Sequence, residues 1–106
     1  MVESFDSERS RYASVGVVER LPGALIDSIW LIIDLDLKGV IPLTNMLYFD
    51  LIDNGGNVTV HFSQEMNDVQ MAIDLPIPYS DDYPSQVFAF DDGTKETILL
   101  PAEMLG

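Results

Sequence analysis

The stretch "MLYFDLIDNGGNVTVHFSQ", Met46–Gln64, decides the fold. Met46–Ile52 is apolar and aromatic around a single Asp, and reads as a strand. Asp53-Asn54-Gly55-Gly56 is turn chemistry, because Asn and Gly tolerate the positive φ that a tight hairpin demands. Asn57–Gln64 then reads as the return strand. Side chains alternate along a strand, so Val58, Val60 and Phe62 share one face and Thr59, His61 and Ser63 the other. A strand pair joined this tightly is antiparallel, and the rest of the sheet is expected to grow from it.

Upstream, Tyr12–Val18 ("YASVGVV") has the small and β-branched pattern of a first strand. Pro22 to Lys38 is expected to be a helix. Pro22 suits its first turn, Lys38 suits the negative helix end, and Gly39 is a stop signal. Residues 25, 26, 29, 30, 33 and 37 form an apolar stripe at helical spacing. "VIPLTN" is a loop. Downstream, the alternation of Val69, Met71, Ile73 and Leu75 marks a strand. "PIPYSDDYPS" reads as a Pro-rich loop, Val87–Phe90 as a strand, Asp91–Thr94 as a turn, and Thr97–Leu100 as its partner strand. The expected order is β-α-β-β-β-β-β. This is an α+β domain: a small antiparallel sheet of five to six strands with one amphipathic helix on one face. Residues 1–10 are expected to form a flexible N-terminal arm, and 11–106 the single α+β domain.

The chain carries 18 Asp and Glu against 5 Lys and Arg, a net charge of −13. Such a field repels phosphates, so direct nucleic-acid binding is disfavoured, while encounter with a basic protein surface is favoured. There is no Cys, hence no disulfide, thiolate metal site or Cys nucleophile, which fits a reducing cytoplasm. The longest apolar run, Ile29–Ile33, is far too short to span a membrane, and the N-terminus has no apolar stretch for a signal peptide.

No catalytic motif emerges. His61, Ser63 and Glu65 share a strand face, but residues two apart on a strand are too widely spaced for a Ser–His–acid relay. Asp50, Asn54 and Gly55 match three positions of a Ca²⁺ loop, whereas Ile52 and His61 stand where oxygen ligands belong. "DNGGN" lacks the Lys and the strand–loop–helix setting of a phosphate loop. The paired carboxylates Asp81-Asp82 and Asp91-Asp92 are candidate acidic loops, expected to be solvated. No metal and no cofactor is expected.

The segment "RYASVGVVERLPGALIDSIWLIID" resembles the opening of a family of small proteins from Gram-positive bacteria, the domain-of-unknown-function family numbered nine-sixty. Arg11-Tyr12, Gly16, Leu21-Pro22, and Trp30 with Ile33-Asp34 carry the resemblance. It continues at His61 with Gln64-Glu65 and at "VFAFDDGTKETILLPAE", across most of residues 11–103. The chain departs from the pattern at "LTNMLYFDL" and at Pro101. The resemblance implies one compact cytoplasmic domain and no particular activity.

The expected function is a non-catalytic, cytoplasmic protein-interaction module. The rivals are an acidic nucleic-acid mimic that inhibits a basic DNA- or RNA-binding protein, and a carboxylate-based enzyme. On the helix, Ala24, Ser28, Leu31 and Leu35 recur on the side away from the main stripe, flanked by Asp27 and Lys38. That strip is the candidate interaction surface, for a basic protein partner or for a homodimer through the helix. The competing expectation is that the Pro-rich loop folds over it.

Overall fold

The structure, a computed structural model, describes residues 5–6, 9–65 and 68–104. Six strands form one sheet: β1 (Ser10–Ala13), β2 (Met46–Asn54), β3 (Asn57–Ser63), β4 (Met71–Pro78), β5 (Gln86–Asp91) and β6 (Lys95–Leu99). Their spatial order is β1-β6-β5-β2-β3-β4. The helices are α1 (Val15–Arg20), α2 (Gly23–Leu31) and α3 (Pro101–Met104), and α2 runs on into a π-helical segment, Ile32–Leu37.

The hairpin forms as its sequence demands. Gly55 and Gly56 take positive φ (64° and 98°), and the Asp53 carboxylate accepts from the Gly56 N–H at 2.9 Å. The β2–β3 register runs from Tyr48↔Ser63 to Asn54↔Asn57. Leu47, Phe49, Leu51, Val58, Val60, Phe62, Val87, Ala89 and Ile98 line the covered face of the sheet. They pack against Val17, Leu21, Leu25, Ile29, Ile32, Ile33 and Leu37.

Two expectations are corrected. The sheet is mixed, because β1 joins the edge strand β6 in parallel, with Arg11 opposite Glu96 and Ala13 opposite Ile98. The helix count is also higher than one. The first strand ends at Ala13, and the Val-rich stretch after it is α1, which the Ser14 side chain caps by accepting from the Val17 N–H. Capping and the burial of Val17 outweigh the strand preference of β-branched residues.

The long helix falls where expected, and Gly39 follows it with φ 78°. Its last turns are wound as a π-helix, with the Lys38 N–H reaching the Ile33 carbonyl at 2.9 Å. Ile32, Ile33 and Leu37 of this segment all reach the core. β4 extends past the expected boundary through Pro76 to Pro78. An edge strand tolerates proline because its outer N–H groups need no partner. Much of the arm expected over 1–10 lies outside the described residues. Phe5 is buried in the core, and Asp91 holds both its N–H, at 2.7 Å, and the Arg9 guanidinium.

Candidate functional site

The face of the sheet turned away from the helices can be mapped from the registers. One row across it reads Tyr12–Thr97–Phe90–Met46. The next reads Leu99–Phe88–Tyr48–Ser63. A third reads Gln86–Asp50–His61–Ala72 and a fourth Ile52–Thr59–Asp74. The first two rows are largely apolar and aromatic, and among the described residues the only helix against them is the short α3. Tyr12 is 52% exposed, and Met46, Tyr48, Phe88, Phe90 and Leu99 are half-buried.

The Tyr48 and Phe88 rings sit 4.9 Å apart, centroid to centroid, and are inclined at 57°. With Met46, Gln86 and Met104 of α3 they line an open cleft of about 240 Å³. Burial, together with the Glu65 carboxylate that accepts from its hydroxyl, raises the Tyr48 phenol above its ordinary range. Beside the cleft, the Asp50 carboxylate accepts from the Gln86 side-chain amide at 2.8 Å and lies 3.5 Å from His61 Nδ1.

His61 Nε2 is 3.1 Å from Gln70 Oε1. Its polar neighbours are therefore Asp50 and Gln70 on flanking segments, not Ser63 or Glu65 on its own strand. Among the described residues no group of three or more His, Asp or Glu side chains converges as metal ligands.

The helix strip read from the sequence lies on the other side of the molecule. Leu31 and Leu35 are 55% and 71% exposed. Ala24 and Asp27 are exposed as well, and Ser28 and Lys38 are half-buried. The Ser28 hydroxyl donates to the Ala24 carbonyl at 2.8 Å. The Pro-rich loop instead approaches the end of α1, where Arg20 donates to the Asp82 carbonyl at 3.2 Å.

The acidic loops divide. Asp81 and Asp82 are exposed. Asp92 accepts from the Thr94 and Lys95 N–H groups and the Thr94 hydroxyl, which hold its carboxyl down at about 2. Asp91 is not a solvated loop residue. It is buried and accepts from the Phe5 and Gly93 N–H groups.

A buried ionic cluster pins β1. Arg11 makes a bidentate pair with Asp34, at 2.6 and 2.8 Å, and donates to Glu96 at 2.9 Å. Its guanidinium lies 4.7 Å above the Trp30 ring. Glu96 is fully buried, and among the described residues its second carboxylate oxygen has no hydrogen-bond partner. Burial pushes this carboxyl up, whereas hydrogen bonds from Arg11 hold Asp34 down.

The open aromatic face had a sequence signal. "MLYF" and "VFAF" are apolar at consecutive positions, so whichever alternate residues enter the core, the others remain apolar on the opposite face.

A mixed sheet with one face under α1, α2 and the π-helical segment and a second, partly exposed aromatic face makes this a small α+β protein. The chain belongs to the family described as Staphylococcal protein of unknown function (DUF960), which matches it over residues 10–103. It is 72% identical to a solved structure described as the crystal structure of the protein of unknown function from Enterococcus faecalis. That likeness covers 100% of both chains with a TM-score of 0.97. No curated protein matches the chain.

Proposed function

We propose that the protein is a non-catalytic interaction module whose protein partner docks on the open face of the sheet. The supporting observation is the pair of largely apolar rows across that face, through Tyr12, Phe90 and Met46 and through Leu99, Phe88 and Tyr48, which among the described residues are covered by the short α3 alone. Aromatic and Met side chains of this kind are the groups that anchor protein interfaces. The acidic surface supports a basic partner through electrostatic steering.

The nucleic-acid-mimic reading receives less support. A mimic needs carboxylates aligned on one surface at phosphate-like spacing. Here Asp27 and Asp36 are exposed on the helix, Asp50 and Asp74 belong to the open face, and Asp91 and Glu96 are buried.

The test is affinity capture from a native cell extract with the wild-type chain and with Tyr12→Asp/Phe90→Ser, after melting curves show that both are folded. The expected outcome is loss of a specific captured protein with the open-face variant. An undiminished capture removes the reading. A second reading, a homodimer through the helix, is supported by the exposure of Leu31 and Leu35.

A further inference from the structure

We infer that the cleft beside the Tyr48–Phe88 ring pair receives an arginine side chain of the partner. This rests on the open face being the docking surface. The two rings touch each other, with centroids 4.9 Å apart, and together present π surface to a group laid against them, where Met46, Gln86 and Met104 bound a space of about 240 Å³. An aromatic face attracts a cation through its quadrupole, and sulfur-containing side chains pack well beside it. Acidic groups stand on one side of the cleft, and the cation Arg20 lines the neighbouring hollow that shares Gln86 with it. Glu65 holds the Tyr48 hydroxyl, Asp50 stands one row away beside Gln86, and Asp74 lies in the row beyond. Lys95 sits at the opposite end of the face, past Thr97. Asp50 faces His61 Nδ1 at 3.5 Å and Glu65 holds the Tyr48 hydroxyl, so both carboxylates stand on the side from which a bound cation could be balanced.

Arginine fits this chemistry better than lysine. Its planar guanidinium stacks on rings, is more weakly hydrated than an ammonium, and leaves its edge free to bond a carboxylate. The same arrangement already exists within the molecule, where Arg11 lies over Trp30 and donates to Asp34 and Glu96.

The experiment uses the full chain and a fluorescent octa-arginine peptide, with octa-lysine and octa-citrulline as matched probes, followed by anisotropy in moderate salt. The Phe88→Leu variant keeps apolar bulk and removes the π face. It is expected to weaken octa-arginine binding about three- to tenfold. Asp27→Asn/Asp36→Asn, which removes two charges from the distant helix, is expected to change it less than about twofold. Octa-lysine should bind less tightly, and octa-citrulline not measurably.

The native chain gives a second readout that no folding defect can obscure. Ring-proton resonances of Tyr48 and Phe88 should shift on addition of octa-arginine, and those of the core residues Phe49 and Phe62 should not. Unmoved Tyr48 and Phe88 signals, or a Phe88→Leu variant that binds like wild type while the helix variant loses affinity, overturn the inference in favour of diffuse attraction. If that occurs while partner capture still depends on Tyr12 and Phe90, only the arginine site falls. If capture is also unaffected, the docking face falls with it.

Discussion

At the scale of the residue, Arg11 is the side chain on which most depends. Among the described residues it is the one side-chain donor to the carboxylate of the fully buried Glu96, and it also ties the helix to the sheet edge through Asp34. Removing one partner of a buried ion pair leaves a charge in a medium that cannot solvate it. Arg11→Met is therefore expected to cost about 3 kcal/mol in urea unfolding at neutral pH. Glu96→Gln keeps an acceptor for Arg11 and removes the buried charge, so it should change stability by about 1 kcal/mol or less. The two carboxylates act with opposite signs. Glu96 has a folded-state pKa above its ordinary 4.5, so its contribution favours folding at low pH and is lost as pH rises through the folded value. Asp34 lies below its ordinary 3.8, so its contribution is present above that value and is lost as pH falls. Stability measured against pH should accordingly be flatter for Glu96→Gln on the upper side of pH 4.5. A wild-type slope retained there would show that Glu96 is not its source.

At the scale of the element, the helix makes the clearest prediction. Leu31 and Leu35 are mostly exposed, so Leu31→Glu/Leu35→Glu should shift stability by about 0.5 kcal/mol per site or less, read by circular dichroism on heating. Light scattering of the same folded variant then decides the helix dimer. A wild-type mass of two chains that falls to one supports it, and an unchanged mass removes it. Elements whose causes are local were legible in the sequence. The β2–β3 hairpin follows from Asp53–Gly56, and the long helix from its apolar stripe and Gly39. Elements whose causes are distant were not. α1 is set by the Ser14 cap and by Glu103, whose carboxylate accepts from the Ser14 hydroxyl 89 positions away. The parallel pairing of β1 with β6 depends on Arg11 meeting Glu96, 85 positions along the chain. No periodicity within a window of residues encodes such a meeting. The open face escapes patterning for another reason: in runs apolar at every position, no alternation separates the outward half from the inward.

At the scale of the whole molecule, the decisive quantity is charge. Each of the five basic residues already has a partner or an acidic neighbour: Arg9 with Asp91, Arg11 with Asp34 and Glu96, Arg20 with the Asp82 carbonyl, Lys38 near Asp34, and Lys95 near Asp92. Against 18 acidic side chains, this leaves the chain with a net charge of −13. A compact chain concentrates that charge and its unfolded form dilutes it, so self-repulsion opposes folding. Salt screens exposed charges beyond about 10 Å at 0.1 M and screens buried pairs much less. Added salt should therefore relieve repulsion while leaving the Arg11–Glu96 pair largely intact. Raising NaCl from about 0.02 M to about 0.3 M is expected to increase the melting temperature by roughly 3–6 °C, the shift that about 1 kcal/mol produces in a domain this small. A complex with a basic partner must respond in the opposite sense, because its attraction runs through the same screened field. Calorimetric melting of the free chain and anisotropy of the octa-arginine complex across one salt series should thus diverge, the fold gaining stability as the complex loses it. A free chain that melts lower in salt would mean that exposed ion pairs, rather than unbalanced carboxylates, govern its stability.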